Sequence, residues 1–241
     1  VYVCMWITPF PDFIFEGLFH FLSKKIIFDF DDSIHLEEDP NNTNYLKKLI
    51  KSKHKIRSLI QKSDHVITSS PFNLDFCITQ NHNTSASYIP CSLDTERFFT
   101  AIHQTNKKLS LGWTVTFASI PYLDSIKDVL EESCKIHNLK LVLITNFDYF
   151  IPNIDMEVIE WKESSEVQDL QKIDIGIYPL VRSQWALGKG GLKVLQYMSI
   201  GIPSISSDYG TAKNIIKDGK NGFLVKSKQD WHDKIDHLVN N

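Results

Sequence analysis

The sequence predicts an α/β protein of two domains, each a parallel sheet with helices on both faces. Three observations carry this. Short apolar runs alternate with helical patterns along nearly the whole chain. The alternation breaks once, at the polar stretch 98–108 ending in His103-Gln104-Thr105-Asn106-Lys107-Lys108, and then restarts. The length of 241 residues suffices for two small domains. The expected division is 1–107 and 108–241.

In the first half, residues 1–7 read as a strand and 16–25 as a helix. Residues 25–30 form a strand ending in acids, 43–62 a long helix and 65–70 a strand. A short helix follows Pro71, and 87–93 hold a brief strand and a turn. In the second half, 109–117, 140–145, 156–161, 174–180, 203–207 and 222–225 read as strands. Helices over 123–137, 165–172, 189–200, 211–218 and 228–239 lie between or after them. Six strands make a full doubly wound domain. At roughly 30 residues per βαβ unit, the four strands of the first half predict a sheet short of strands at its N-terminus. The expected fold is therefore two Rossmann-like domains, the N-terminal one incomplete.

Composition narrows the function. A chain 42% hydrophobic and 23% charged is globular, and a net charge of −3 gives no pull toward nucleic acid. The four cysteines, Cys4, Cys77, Cys91 and Cys134, show neither CxxC nor metal spacing. They point to buried thiols in a reducing compartment, hence a cytoplasmic protein. The sequons at Asn41 and Asn83 read as loop residues without an export signal. No apolar run reaches the roughly 18–20 residues of a spanning helix. The lysines and arginine in 47–57 are expected on the outer face of an amphipathic helix. Such a helix is either a solvated surface or a peripheral contact with anionic lipid on the inner membrane face. The aromatic-rich stretch 6–21 reads as core, with an acceptor site as the other reading.

The densest chemical signal is Gly188-Lys189-Gly190-Gly191, expected at the start of the helix over 189–200. Bare backbone lets a ligand approach, and free N–H groups with the helix dipole favour an anion. Lys189 and Lys193, four apart, would share a face near that end. Leu192, Leu195, Met198 and Ser199 would share another. The stretch is either a phosphate or diphosphate site or a flexible loop before a core helix. GxGxxG with a downstream acid and GxxxxGK[ST] are both absent, which argues against dinucleotide and P-loop sites. Asp29, Asp31, Asp32 and His35 cluster at a strand end. A cleft role near an acceptor, a phospho-acceptor pocket with Ser69 and Ser70, a metal site, and plain capping of a loop all remain open for them.

Several stretches, in order, resemble one family. "FIFEG", "IIFDFDDSIH", "SDHVITSSPF" and "IPCSLDTERF" occur in the first half. "LGWTVTF", "VIEWKESSEVQDLQKIDIGIYPL", "GKGGLKVLQYMSIGIPSISSDYG" and "DGKNGFLV" occur in the second. Together they resemble the GT-B glycosyltransferases of the family-4 or group 1 type, cut short at both ends. The resemblance implies transfer of a sugar from a nucleotide diphosphate-sugar to a glycan or lipid-linked acceptor, with retention and without metal or other cofactor. It implies donor contacts at Gly112 and Thr114, at Trp161 and Lys162 for the base, and at Tyr178, Pro179 and Leu180. It further implies contacts at Gly188, Gly190 and Gly191 and at Gly210 and Thr211. The Arg/Lys pair usual on the diphosphate is not evident at its expected place, and Lys189 and Lys193 are expected to take the catalytic role there in its stead. Asp31, Asp32 and Ser70 fall on the acceptor side, in the cleft. One departure stands out. The family often carries two glutamates seven residues apart, and the matching positions are Gly188 and Gln196. That departure, with the short N-terminal sheet, gives the rival expectation of a non-catalytic nucleotide or nucleotide-sugar binder, a fragment or degenerate relative. A chain short of sheet strands is also expected to be less active and less soluble than a longer parent.

Overall fold

The computed structural model describes residues 1–5, 14–36, 53–100 and 108–241. They form two compact units, Val1–Cys91 with Arg182–Gly190, and Ser92–Val181 with Gly191–Asn241.

The first unit contains β1 (Tyr2–Cys4), α1 (Ile14–Leu22), β2 (Ile27–Phe30), α2 (Lys53–Lys62), β3 (His65–Thr68), α3 (Pro71–Gln80) and β4 (Ala86–Tyr88). The strands pair in parallel in the order β1-β2-β3-β4. Val3, Phe28, Phe30 and Val66 from the sheet pack against Ile56, Leu59, Ile60 and Cys77. Helix α3 starts where the sequence supplies both start signals. The Ser70 hydroxyl accepts from the Asn73 amide at 3.2 Å, and Pro71 takes the first turn, where no N–H is needed.

The second unit holds β5 (Ser110–Thr114), a 3₁₀ turn (Phe117–Ser119), α4 (Ile120–Asp124), α5 (Lys127–Ile136), β6 (Lys140–Thr145), β7 (Asp155–Glu160), α6 (Glu166–Leu170) and β8 (Ile175–Tyr178). The short α7 (Gln184–Leu187) belongs to the first unit. The second unit resumes with α8 (Leu192–Ser199), β9 (Ser204–Ser207), α9 (Ala212–Ile215), β10 (Phe223–Val225) and α10 (Lys228–Asn240). Its six strands are all parallel, in the order β10-β9-β8-β5-β6-β7. The order reverses between β5 and β8, and open α/β sheets bind ligands beyond the carboxyl ends of the strands at such a point.

A pair of glycines sets the middle of this sheet. Gly112 on β5 lies in register with Gly176 on β8. A Cβ on Gly112 would stand 2.4 Å from Ile173, and one on Gly176 would stand 2.5 Å from the Tyr197 ring. The hollow admits Tyr197 from α8, whose hydroxyl donates toward the Ile177 and Gly112 carbonyls at 3.3 and 3.4 Å. Full burial holds that phenol far above its usual pKa, so it remains a donor.

Several expectations need correction. Helix α8 begins at Leu192, not at residue 189, and α7 was not foreseen. Its core face is Val194, Tyr197 and, just past its end, Ile200, while Leu192 is 37% exposed. The glycine hollow decides this, because it seats a ring at 197 and turns Leu192 outward. Residues 37–52, and with them most of the basic stretch 47–57, lie outside the described residues. In the part that is described, Lys55 is fully buried and the Arg57 guanidinium sits 5.8 Å over the Phe76 ring. The charges there are not confined to an outer face. Of the aromatic-rich stretch, 6–13 lie outside the described residues, while Leu18 and Phe21 are exposed rather than core. Among the described residues no helix is long and apolar enough to cross a membrane.

Candidate functional site

The carboxyl edge of the second sheet gathers small polar groups. Thr114 ends β5, Thr145 ends β6, and Thr211 precedes α9, each buried, with a hydroxyl that has no hydrogen-bond partner among the described residues. Buried hydroxyls are normally satisfied, so unpaired ones on one sheet edge mark a place where a polar ligand would complete them. At the end of β8, Tyr178 and Leu180 are buried, and the Leu180 amide donates to the Ser207 hydroxyl at 2.9 Å. Gly210 takes a left-handed φ of 63° just before α9. Gly191, with φ 79°, caps the start of α8, and a Cβ there would lie 2.6 Å from Ile215. The bare N-terminal turn of α8 needs glycine for both reasons.

Behind this edge runs a polar chain centred on two buried side chains, Gln196 and Glu166. The Lys193 ammonium donates to the Gln196 carboxamide oxygen at 3.1 Å. The Gln196 amide donates to Glu166 Oε1 at 3.0 Å, and the Trp161 indole reaches the same oxygen at 3.4 Å. Arg97 closes on Glu166 Oε2 at 3.0 Å and on the Glu163 carbonyl at 2.9 Å. Gln196 is 3% exposed and Glu166 9%, so the carboxylate is held by three donors in a poorly solvated place. Arg97, Glu163 and Ser164 line an open cavity of about 700 Å³. Trp161, just past β7, donates its amide to Thr145 at 3.1 Å. Lys162 pairs with Glu160 at 2.8 Å, which raises its pKa, mainly through that hydrogen bond.

Asp31, Asp32, Ser70, Gly188, Lys189 and Gly190 belong to the first unit, and Pro179 follows β8 in the second. Lys189 stands 3.7 Å from Asp32, and Asp32 itself has a left-handed φ of 47°. A Cβ on Gly188 would meet the Ser33 hydroxyl at 1.9 Å, and one on Gly190 would meet the Cys91 sulfur at 2.4 Å. Ser70 caps α3. Burial, followed by the charges of Asp31 and Asp32, pushes the Cys91 thiol up. Lys189 and Lys193 therefore do not share a helix face. Lys189 precedes the helix and belongs to the first unit, and Lys193 lies on α8 in the second. Among the described residues no three His, Cys, Asp or Glu side chains converge as a metal set.

The ends of β8 and β9, the start of α8 and Thr211 fall within one stretch that a family model matches, while β5 and β6 precede it. Residues 153–241 match the model for group 1 glycosyl transferases. The group 1 stretch holds β8, α8, α9 and the Glu166 chain except Arg97. Solved structures share the wider fold, which is that of the GT-B glycosyltransferases. A sucrose-phosphate synthase from Thermosynechococcus elongatus is 11% identical, with a TM-score of 0.66, over 100% of this chain and 64% of that one. TarM of S. aureus, solved as a mutant with fondaparinux, α-GlcNAc-glycerol and UDP, is 19% identical, with a TM-score of 0.60, over 92% of this chain and 46% of that one. HepE of Anabaena, solved with UDP-glucose, is 11% identical, with a TM-score of 0.64, over 94% and 66%. The chain thus spans between 46 and 66% of the length of these proteins. No curated protein sequence matches it.

Sequence reasoning missed Glu166, Arg97, Thr145 and Ser33. Only Glu166 had a visible signal, an acid beside the two serines after β7. The others become visible only when the sheet edge and the loop packing are seen.

Proposed function

We propose that this chain carries the donor-binding part of a glycosyltransferase that uses a nucleotide diphosphate-sugar. One observation carries the reading. The bare N-terminal turn of α8, inside the group 1 stretch, opens at a carboxyl sheet edge lined with buried hydroxyls that have no partner among the described residues. Its N-terminal amides and the helix dipole suit a diphosphate. The Lys193 ammonium adds charge as the leaving diphosphate develops it. Trp161 and the backbone after β7 suit the base. UDP and UDP-glucose in the related structures support the donor class, and the glycan ligands of TarM support a glycan or lipid-linked acceptor. In the retaining course that the resemblance implies, the leaving phosphate takes the acceptor proton. No protein base and no metal or other cofactor is then needed.

A second reading has a specific observation behind it. Gly188 and Gln196 leave both positions of the expected acidic pair without a carboxylate. A binder that has lost transfer would look the same.

Calorimetric titration of UDP, GDP and their sugars tests the first reading. One nucleotide diphosphate should bind, and Lys193→Ala should weaken it by about 1–3 kcal/mol, the value of a charged hydrogen bond. Absence of binding by all of them would refute it. Binding without turnover of the matching sugar donor would favour the second reading.

A further inference from the structure

We propose that Glu166 is a positioning residue that ties the two ends of the donor site together: one carboxylate oxygen anchors the Trp161 indole directly and the Lys193 ammonium through Gln196. The inference rests on the donor reading above, which gives Trp161 to the base and Lys193 to the diphosphate. Arg97, Trp161, Glu166, Lys193 and Gln196 all lie in the second unit.

Glu166 opens α6, just past the loop after β7 that carries Trp161. Its two oxygens are divided. Arg97 takes Oε2 at 3.0 Å and is itself steadied by the Glu163 carbonyl at 2.9 Å. Oε1 then serves two donors from different elements, the Gln196 amide at 3.0 Å and the Trp161 indole at 3.4 Å. A carboxylate this poorly solvated is costly unless donors meet it, so the acid and its three donors hold one another in place.

Gln196 passes the orientation on. A carboxylate only accepts and an ammonium only donates. Between the two, a carboxamide has one satisfied orientation, with its amide toward Glu166 and its oxygen toward Lys193, and that is the one observed. Turned over, it would set amide against ammonium and oxygen against carboxylate. In the first turn of α8, Lys193 is therefore met at 3.1 Å by an oxygen whose direction Glu166 sets. Trp161 is 37% exposed, so its ring keeps an open face while its N–H is tied down. A ring and a charge already fixed in direction need not be ordered when the ligand arrives, which is what supporting hydrogen bonds contribute to a binding site.

Glu166→Gln removes the charge and keeps the shape. Titrated with UDP and GDP, and melted to confirm folding, it should bind the nucleotide several-fold to tenfold more weakly. The deciding cycle adds Lys193→Ala and Trp161→Phe, the second of which keeps a ring without the N–H. The loss from Glu166→Gln should shrink in either background and vanish when both are present, since Glu166 then has nothing left to position. Gln196→Leu serves if Glu166→Gln fails to fold. It cuts the Lys193 arm alone, and its loss should vanish when Lys193→Ala is already present. A role confined to stability would instead give losses that add in full to those of the background variants, or that track the unfolded fraction, and either would overturn the proposal. Nucleotide binding unchanged in folded Glu166→Gln, or in Gln196→Leu in its place, would overturn this inference alone. No binding by the unaltered chain would overturn the donor reading with it.

Discussion

Gln196 donates its carboxamide to the Glu166 carboxylate at 3.0 Å, deep beneath the start of α8. The family resemblance puts an acid at position 196, and here the negative charge stands one residue away in space, on a different helix. Two carboxylates at this distance in a buried place repel strongly, so the amide at 196 and the acid at 166 form a matched pair. Gln196→Glu should therefore destabilise the chain by about 2–3 kcal/mol. The exchange Glu166→Gln with Gln196→Glu should recover at least half of that loss. Urea unfolding of the four proteins measures the coupling. Strictly additive single and double effects would show that the two residues do not sense each other.

Most of the strand framework could be read from the sequence because buried parallel strands are short, nearly continuous apolar runs. LVLIT at 141–145 is such a run and stops where the polar turn at Asn146 begins. The buried face of α8 could not be read. Leu192, Leu195 and Met198 have the right spacing, but the hollow that decides the matter is made by Gly112 and Gly176, 64 residues apart in the chain and neighbours only in the sheet. The candidate site was half legible for the same reason. Glycines and lysines near α8 show in the sequence. Their division between two units does not, because spacing along a helix assumes the helix has already begun.

The glycine pair itself gives a stability test. Gly176→Ala places a methyl 2.5 Å from the rigid Tyr197 ring, which cannot swing aside while its hydroxyl is bonded and its surroundings are packed. A loss of at least about 1–3 kcal/mol is expected, as for other overpacked cores. Gly112→Ala meets the more adaptable Ile173 and should be partly rescued by Ile173→Ala, which removes all three close atoms. Thermal melting of these variants checks the ranking. An unchanged melting temperature in Gly176→Ala would mean the ring does not sit in the hollow.

Position 188 gives a separate prediction. Placing at 188 the acid that the resemblance implies, with Gly188→Glu, should not improve donor binding, because the space a Cβ would need is filled by Ser33. The variant should lose stability and should bind nucleotide diphosphates no better than the unaltered chain. Ser33→Gly should not rescue it, since the Ser33 backbone nitrogen also lies 2.8 Å from the added Cβ. Tighter binding of UDP or GDP in Gly188→Glu would show that the segment has room to move.

His35 makes the first unit sensitive to acid. Its ring is fully buried, stacked 4.0 Å from Phe76 and edge-on to Phe30, and neither nitrogen has a hydrogen-bond partner among the described residues. Burial, with the nearby Arg57 charge, lowers its pKa from 6.5 to about 4. Above pH 6.5 the ring is neutral whether the chain is folded or not, and the folded state has its full stability. Between 6.5 and about 4 the unfolded chain binds a proton that the folded state refuses, so stability falls as the pH falls. Below about 4 both states are protonated and the loss levels off. At pH 5 the loss should amount to about 2 kcal/mol relative to pH 7.5. His35→Phe keeps a ring in the aromatic cluster and removes the titration. The variant should therefore gain on the unaltered chain by about that amount between pH 7.5 and 5. His20, whose pKa is also lowered by burial, is present in both proteins and cancels. Urea midpoints that shift in parallel for the two proteins over this range would show that His35 is not the acid-sensitive group.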